Sequence, residues 1–480
     1  MSGHFDLLVI GAGPAGEKGA AQAAYFGKSV CLVERAPKPG GNSVNTGGLP
    51  SKTLRETALY FSGLRQRGLY GVEYRVKSDI TIGDFMFRER AVIESAWQLV
   101  GENLANHKVA TVQGQARVID AHTVEVTRYR QPVQRLTADV ILVATGSHPV
   151  RPPEIPFDGE TVVDSDSLLT LTAIPQRLVV IGGGVIGCEY AGMFAALGVR
   201  VTLINARERL LTQLDAEVSD GLCAEMTRRL GIHVMLNAEV RDILVDTTGK
   251  RVAIVSLTDG TEITADCVLY SIGRSGATED LGLAEAGVRM NNRGFVLVDE
   301  HYRTTVPSIF AAGDVIGFPA LASTSMEQAR VAMCHAFDLR YKQRVSPVLP
   351  YGVWTVPEVA MVGETEESAR AKNLAYEIGK ASFRSNMRGQ IIGDLDGFVK
   401  LIFRREDQLL LGCSIVGEGA SELIHLAAAV MSFGGTIDYF IQAVFNYPTL
   451  SDVYKYAAYD GLQRLARRHA ASGGLPRVGQ

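Results

Sequence analysis

Two segments of the chain, LLVIGAGPAG at 7–16 and LVVIGGGVIG at 178–187, repeat one device: an apolar run that ends in GxGxxG. Each leads into an alanine-rich helical pattern and then a second apolar run, SVCLVE or RVTLIN. In both copies the second run ends eighteen residues past the third glycine, at Glu34 and at Asn205. Strand, tight turn, helix and parallel strand are what such spacing encodes. The pattern commits the chain to an α/β fold with two Rossmann-like dinucleotide-binding units.

The glycines divide the work. Gly11 and Gly182 allow the tight turn, Gly13 and Gly184 let a pyrophosphate approach the backbone, and Gly16 and Gly187 let helix pack on strand. The pyrophosphate then sits at the positive end of a helix. Glu34 is placed to accept hydrogen bonds from a ribose diol. In the second unit Asn205 stands at that place, and Arg207 and Arg209 follow. Loss of the carboxylate removes a repulsion, and a nearby arginine can pair with a 2′-phosphate. Asparagine can also bond a plain 2′-hydroxyl, so the pattern reads as a site tolerant of both NAD and NADP. Solvated surface arginines fit the same positions.

Composition narrows the class. A chain of 480 residues suggests about three domains. A net charge of −4 with no long basic run gives no support for nucleic-acid binding. No apolar run reaches the roughly 18 residues of a membrane span. The six cysteines are scattered singly, with no CxxC pair, and fit buried residues in a reducing cytoplasm. The N-terminus lacks signal-peptide character, so a cytoplasmic protein is expected.

Other motifs set the boundaries. ADVILVATGSHP, ADCVLYSIGRSG and SIFAAGDVIG each read as a buried strand ending in a glycine turn. They carry the cofactor-binding candidates Thr145, Gly146, Gly273, Arg274 and Asp314. Asp314 is placed to hold the sugar-like chain of a flavin and fits a helix cap equally well. The prolines of HPVRPPEIP mark a domain crossing. From about residue 346 the sequence turns to alternating strands and two amphipathic helices, an α+β domain. The tail ASGGLPRVGQ is expected to fray.

The ordered set GAGPAG, GG…PSK, ATGS, GGGVIGCEYA, GR and AAGD resembles the pyridine nucleotide–disulfide oxidoreductases over nearly the whole chain. The resemblance implies an FAD domain in two parts (1–150 and 276–345), an NAD(P) domain (151–275) and a C-terminal dimerisation domain (346–480). It also implies a homodimer, with possible higher assembly, whose site borrows residues from the partner's C-terminal segment. Two departures matter. The family's redox cysteines would fall at Ser43 and Gly48, which cannot shuttle electrons. The family's His–Glu pair would fall at Tyr447 and Asp452 in FNYPTLSD, and a phenol is a poor base at neutral pH. Thiol acceptor and thiol base are missing together.

The remaining motifs, among them FNYPT, LINARERLL and GDVIG, are similar to the transhydrogenase branch of that family. This implies ping-pong hydride exchange between NADPH and NAD through FAD, with no disulfide. Lys52 and Glu189 look like the family's ion pair beside flavin N5, where a cation stabilises arriving electron density. Val185 is small and leaves a nicotinamide pocket open. The helix starting near Ala322 and Ser323 aims its positive end at the flavin. Tyr447 of the partner subunit is a further catalytic candidate and fits interface packing equally. A quinone reductase on the same fold and a non-catalytic flavin sensor are the rival readings.

Overall fold

The computed structural model describes residues 3–63, 69 and 80–471, so the tail expected to fray lies outside it except for Ala471. Strands His4–Ile10 and Val30–Glu34 are near-continuous apolar runs. Their central residues Leu7, Leu8, Val9, Cys31, Leu32 and Val33 are buried on both faces, as a parallel sheet covered by helices requires. The sheet runs Ala110–Gln113, Val30–Glu34, His4–Ile10, Gln134–Val143, Ile309–Ala311, all parallel. Strand Gln134–Val143 changes partners along its length. Its start pairs antiparallel with Thr123–Thr127, and its end runs parallel beside Ile309–Ala311. The last strand thus comes from a distant part of the chain. The helix that follows it, Ala322–Ala336, packs on helix Pro14–Tyr25.

Between these parts lies the second parallel sheet, in the order His233–Leu236, Arg200–Asn205, Arg177–Ile181, Cys267–Tyr270, Val162–Val163. An antiparallel meander, Val240–Asp246, Val252–Leu257 and Glu262–Ala265, accompanies it. The chain leaves the first unit through Ser147–Pro149 and returns through Arg274–Gly276, and these two short strands pair antiparallel. The third unit is a five-stranded antiparallel sheet, Tyr351–Val353, Val359–Gly363, Leu410–Val416, Phe398–Arg404, Tyr376–Ser382. Helices Ala420–Ser432 and Val453–Ala471 pack against it.

One buried charge ties the third unit to the second. Lys400 sits on strand Phe398–Arg404 with its side chain 1% exposed. Its ammonium donates to Asp215 at 2.9 and 3.1 Å and to Glu366 at 2.6 Å, and lies 3.0 Å from Glu217. Asp215 also caps helix Ala216–Leu230 of the nucleotide-binding unit. Burial alone would lower the pKa of Lys400. The hydrogen bonds it donates to Glu366 and Asp215 outweigh burial and push it well above the usual lysine range. A raised folded pKa means that the contribution is complete below the unfolded lysine value, about 10.4, and is lost only as pH climbs through the folded one. It is therefore fully present at neutral pH. Replacing Lys400 by Met strips the buried Asp215 of its cation, while Glu217 keeps Lys380 and Glu366 keeps Arg370, and should cost about 3–5 kcal/mol. The expected readout is a lower denaturant midpoint at pH 7, with the deficit narrowing as acid neutralises the carboxylates.

Candidate functional site

The three units meet around a cavity of about 1020 Å³. Both fingerprint loops obey the same logic. Gly11 and Gly182 hold φ of +103° and +110°. A Cβ on Gly16 would stand 1.8 Å from the Gly11 carbonyl oxygen, and one on Gly187 would stand 1.9 Å from that of Gly182. These outer glycines are demanded by the backbone. The middle ones are not: a Cβ on Gly13 meets only the Gly41 Cα at 3.6 Å, and one on Gly184 meets nothing within 4 Å. The space they leave is open to a ligand. Helices Pro14–Tyr25, Val185–Ala196 and Ala322–Ala336 all begin without a side-chain cap. Their first turns reach the cavity through Gly13, Val185 and Ala322, which suits phosphate groups.

Glu34 and Asn205 occupy matching places and hold matching bonds. Glu34 accepts from the Ala12 N–H at 2.7 Å and the Ala36 N–H at 2.8 Å, and it lines the cavity. Asn205 accepts from the Gly183 N–H at 3.2 Å and donates to the carbonyls of Arg207 at 3.0 Å and Arg209 at 2.9 Å. A carboxylate has no N–H to offer those carbonyls. Asn205 therefore has a backbone duty that its place in the motif does not reveal. The two arginines also differ. Arg209 is paired with Asp220 at 2.9 Å and flanked by Glu208 at 3.7 Å. Arg207 is exposed and donates to the Thr212 hydroxyl at 2.7 Å.

On the other wall, Asp314 opens a short 3-10 turn, eight residues ahead of helix Ala322–Ala336. It accepts from the Ser147 hydroxyl at 3.1 Å. Arg274 donates to that hydroxyl through Nε and to the Ser147 carbonyl through Nη2, both at 2.8 Å. Asp314 and Arg274 are thereby joined through Ser147. Gly146 at φ +75° and Gly273 at φ +145° carry the backbone around the crossover. Their carbonyls accept from the N–H groups of Ala277 and Val150. Thr145 Oγ1 is buried on the cavity wall with no hydrogen-bond partner among the described residues. So is the hydroxyl of Tyr190. Burial, reinforced by the neighbouring Glu189 carboxylate, pushes the Tyr190 phenol well above its ordinary pKa. It stays protonated and able to donate.

Inside the cavity Lys52, on helix Gly48–Ser62, meets Glu189, on helix Val185–Ala196. Lys52 Nζ lies 2.9 Å from Oε1 and 2.7 Å from Oε2 of Glu189. Glu189 also accepts from the Trp354 N–H at 2.9 Å, and the Trp354 ring lies 4.8 Å from Lys52 Nζ. Tyr190 and Trp354 escaped the sequence reading. An acid–aromatic neighbour pair and one of only two tryptophans were the available signals.

Segment 40–52 forms helix Gly41–Asn45, a break, and the start of helix Gly48–Ser62. Trp97 Nε1 donates to Asn45 Oδ1 at 2.7 Å, and Asn45 donates to the Gly41 carbonyl at 3.0 Å. A Cβ on Gly48 would stand 3.5 Å from Ser43 Oγ, so the frame still sets positions 43 and 48 side by side. No cysteine is among the described residues that line the cavity. Tyr447 is 73% exposed and is not among the cavity-lining residues; Val444 at 97% and Phe433 at 91% are also exposed on the third unit.

Two dinucleotide-binding sheets, the helix of the second entering a cavity lined by the loop of the first, with a cation held inside it, define a redox protein that handles two nucleotides; Gly182, Gly184, Gly187, Asn205, Arg207 and Arg209 are not among that cavity's lining residues. Residues 5–336 match the family model of the pyridine nucleotide-disulphide oxidoreductases, and 349–458 match that of their dimerisation domain. The chain belongs to this family. It is 44% identical over 463 residues to the soluble pyridine nucleotide transhydrogenase of Mycobacterium bovis BCG, covering 96% of this chain and 98% of the relative. The protein of the same name from Colwellia psychrerythraea is 39% identical over 464 residues, with 96% and 98% covered. Among solved structures, LpdA from Mycobacterium tuberculosis superposes with a TM-score of 0.86 at 29% identity, over 94% of this chain and 99% of that one. The HOCl-induced flavoprotein disulfide reductase RclA from Escherichia coli gives 0.83 at 28%, over 95% and 99%.

Two substitutions separate backbone need from ligand need. Gly13→Ala should fold, with unchanged far-ultraviolet circular dichroism, yet purify with most of its flavin absorbance lost; Gly16→Ala should not fold. Separately, the double change Ser43→Cys with Gly48→Cys should close a disulfide, since a Cβ at position 48 already stands 3.5 Å from the side-chain oxygen of Ser43. Thiol titration of the double variant should show no gain in free thiols until a reductant is added.

Proposed function

We propose that the chain is a soluble pyridine nucleotide transhydrogenase, a homodimeric cytoplasmic enzyme that exchanges hydride between NADPH and NAD by way of bound FAD. The observation that carries this reading is the Lys52–Glu189 pair, complete inside a cavity lined by the first dinucleotide loop and by the helix that follows the second, with no cysteine among its described lining residues. The residues suit FAD: open space above Gly13, an unpartnered Thr145 hydroxyl, an uncapped helix at Ala322 and the carboxylates Glu34 and Asp314. FAD, when bound, supplies the two-electron carrier.

The chain's own residues supply the setting. Glu189 fixes the Lys52 ammonium where negative charge arrives on reduction, so the cation favours the reduced state and the transfer that leads to it. Val185 and Ile186 leave the cavity accessible beside that pair. The loop of Gly182, Gly184 and Gly187 takes the pyrophosphate of the incoming nucleotide. Arg207, with a hydroxyl rather than a carboxylate for its partner, is the residue suited to a 2′-phosphate. The exposed Tyr447, Val444 and Phe433 belong to the surface that meets the partner subunit, through which Tyr447 reaches the partner's cavity. Relatives at 39–44% identity over 96% of the chain carry the transhydrogenase name.

The test is anaerobic. One equivalent of NADPH should bleach the flavin, and NAD added afterwards should restore its colour within the turnover time. A flavin that NAD leaves bleached while a quinone restores it would make the chain a quinone reductase. A flavin that NADPH cannot bleach would leave a sensor. In the same assay Lys52→Met should slow bleaching by about 100-fold.

A further inference from the structure

The third unit touches the nucleotide cavity through a residue that acts on the ion pair twice. Trp354 lies between strands Tyr351–Val353 and Val359–Gly363. Its main-chain N–H donates to Glu189 Oε1 at 2.9 Å. Its indole ring faces Lys52 Nζ at 4.8 Å from the centroid, within the range of a cation–π contact. Trp354 lines the cavity together with Ser43, Gly48 and Val185.

A lysine ammonium is a compact charge on a flexible four-carbon stem. Lys52 is 29% exposed along its side chain, so water competes for its hydrogen bonds. Glu189 binds it through both oxygens, and Ser51 Oγ lies at 3.3 Å. A carboxylate alone lets the ammonium swing about the axis of the pair. A π face to one side removes part of that arc, and tryptophan is the strongest of the aromatic rings for the purpose.

We infer that Trp354 is a positioning residue: its indole holds the Lys52 ammonium toward the bound flavin and thereby raises the flavin's reduction potential. The inference rests on FAD occupying this cavity, but not on which acceptor takes the electrons away. Every non-proline replacement keeps the main-chain N–H, so the bond to Glu189 survives and only the ring is tested.

The measurement is the two-electron midpoint potential of the purified holoenzyme, by equilibration with a reference dye, for Trp354→Phe, Trp354→Leu and Trp354→Met. A cation–π contact of the usual size changes an equilibrium by about threefold to tenfold, and tenfold is about 30 mV for a two-electron couple. Leu and Met should lower the potential by up to that amount, whereas Phe should stay close to the parent. The two non-aromatic variants guard against one failing to fold. Equal potentials throughout would overturn the inference, and so would a fall in the Phe variant as large as in Leu. No second nucleotide enters this measurement, so a protein that passes it and then fails to hand electrons to NAD would refute the transhydrogenase reading alone. A protein that retains no flavin would refute the premise instead.

Discussion

The Lys52–Glu189 ion pair is where the three units have to agree. Lys52 comes from a helix between two strands of the first sheet, Glu189 from the helix after the second fingerprint, and the Trp354 N–H that steadies Glu189 from the antiparallel unit. Glu189 is nearly buried, and a carboxylate in that position is tolerable only when its charge and its lone pairs are answered. They are answered from two other parts of the chain. A shift of any unit would leave that carboxylate exposed to a low dielectric without its partners. The pair therefore fixes relative placement as well as local charge.

This constraint explains why a site can lose the residues at 43 and 48 that its family uses for thiols and keep its geometry. Trp97 and Asn45 hold the first short helix, and the second is pinned through Lys52 and through Arg55. The Arg55 guanidinium, itself 2% exposed, reaches the Thr355 carbonyl at 3.0 Å and Glu358 at 3.1 Å. Burial raises the Glu358 carboxyl and the Arg55 charge opposes that rise. The frame does not depend on a covalent bridge. Hydride exchange by way of a flavin calls for the flavin, a cation to favour its reduced state and room for a nicotinamide, and none of these is a thiol.

The sequence disclosed what is local and hid what is remote. The outer glycines of both fingerprints were legible because their need is written within a few residues: the third would collide with the carbonyl of the first. The buried strands were legible as unbroken apolar runs. Asn205 was legible as a departure from an acid, but the reason for it, two carbonyls that need an N–H donor, depends on how residues 206–209 fold back. Trp354 could not be found from pattern, since its partners lie 165 and 302 positions away. Lys400 is the extreme case. A charged residue in an apolar strand reads as a surface position; Glu366 reaches it from a helix of the same unit, and only the packing of a separate unit brings Asp215 and Glu217 around it.

Hydride exchange of the proposed kind requires that the site hold a single two-electron group, the flavin, and no thiol partner. The direct measurement is an anaerobic reductive titration of the holoenzyme, following the visible spectrum to its end point. One two-electron equivalent per flavin, with no long-wavelength charge-transfer band on the way, is the expected result. A second equivalent consumed before the flavin bleaches, or such a band, would reveal another redox group and contradict the claim.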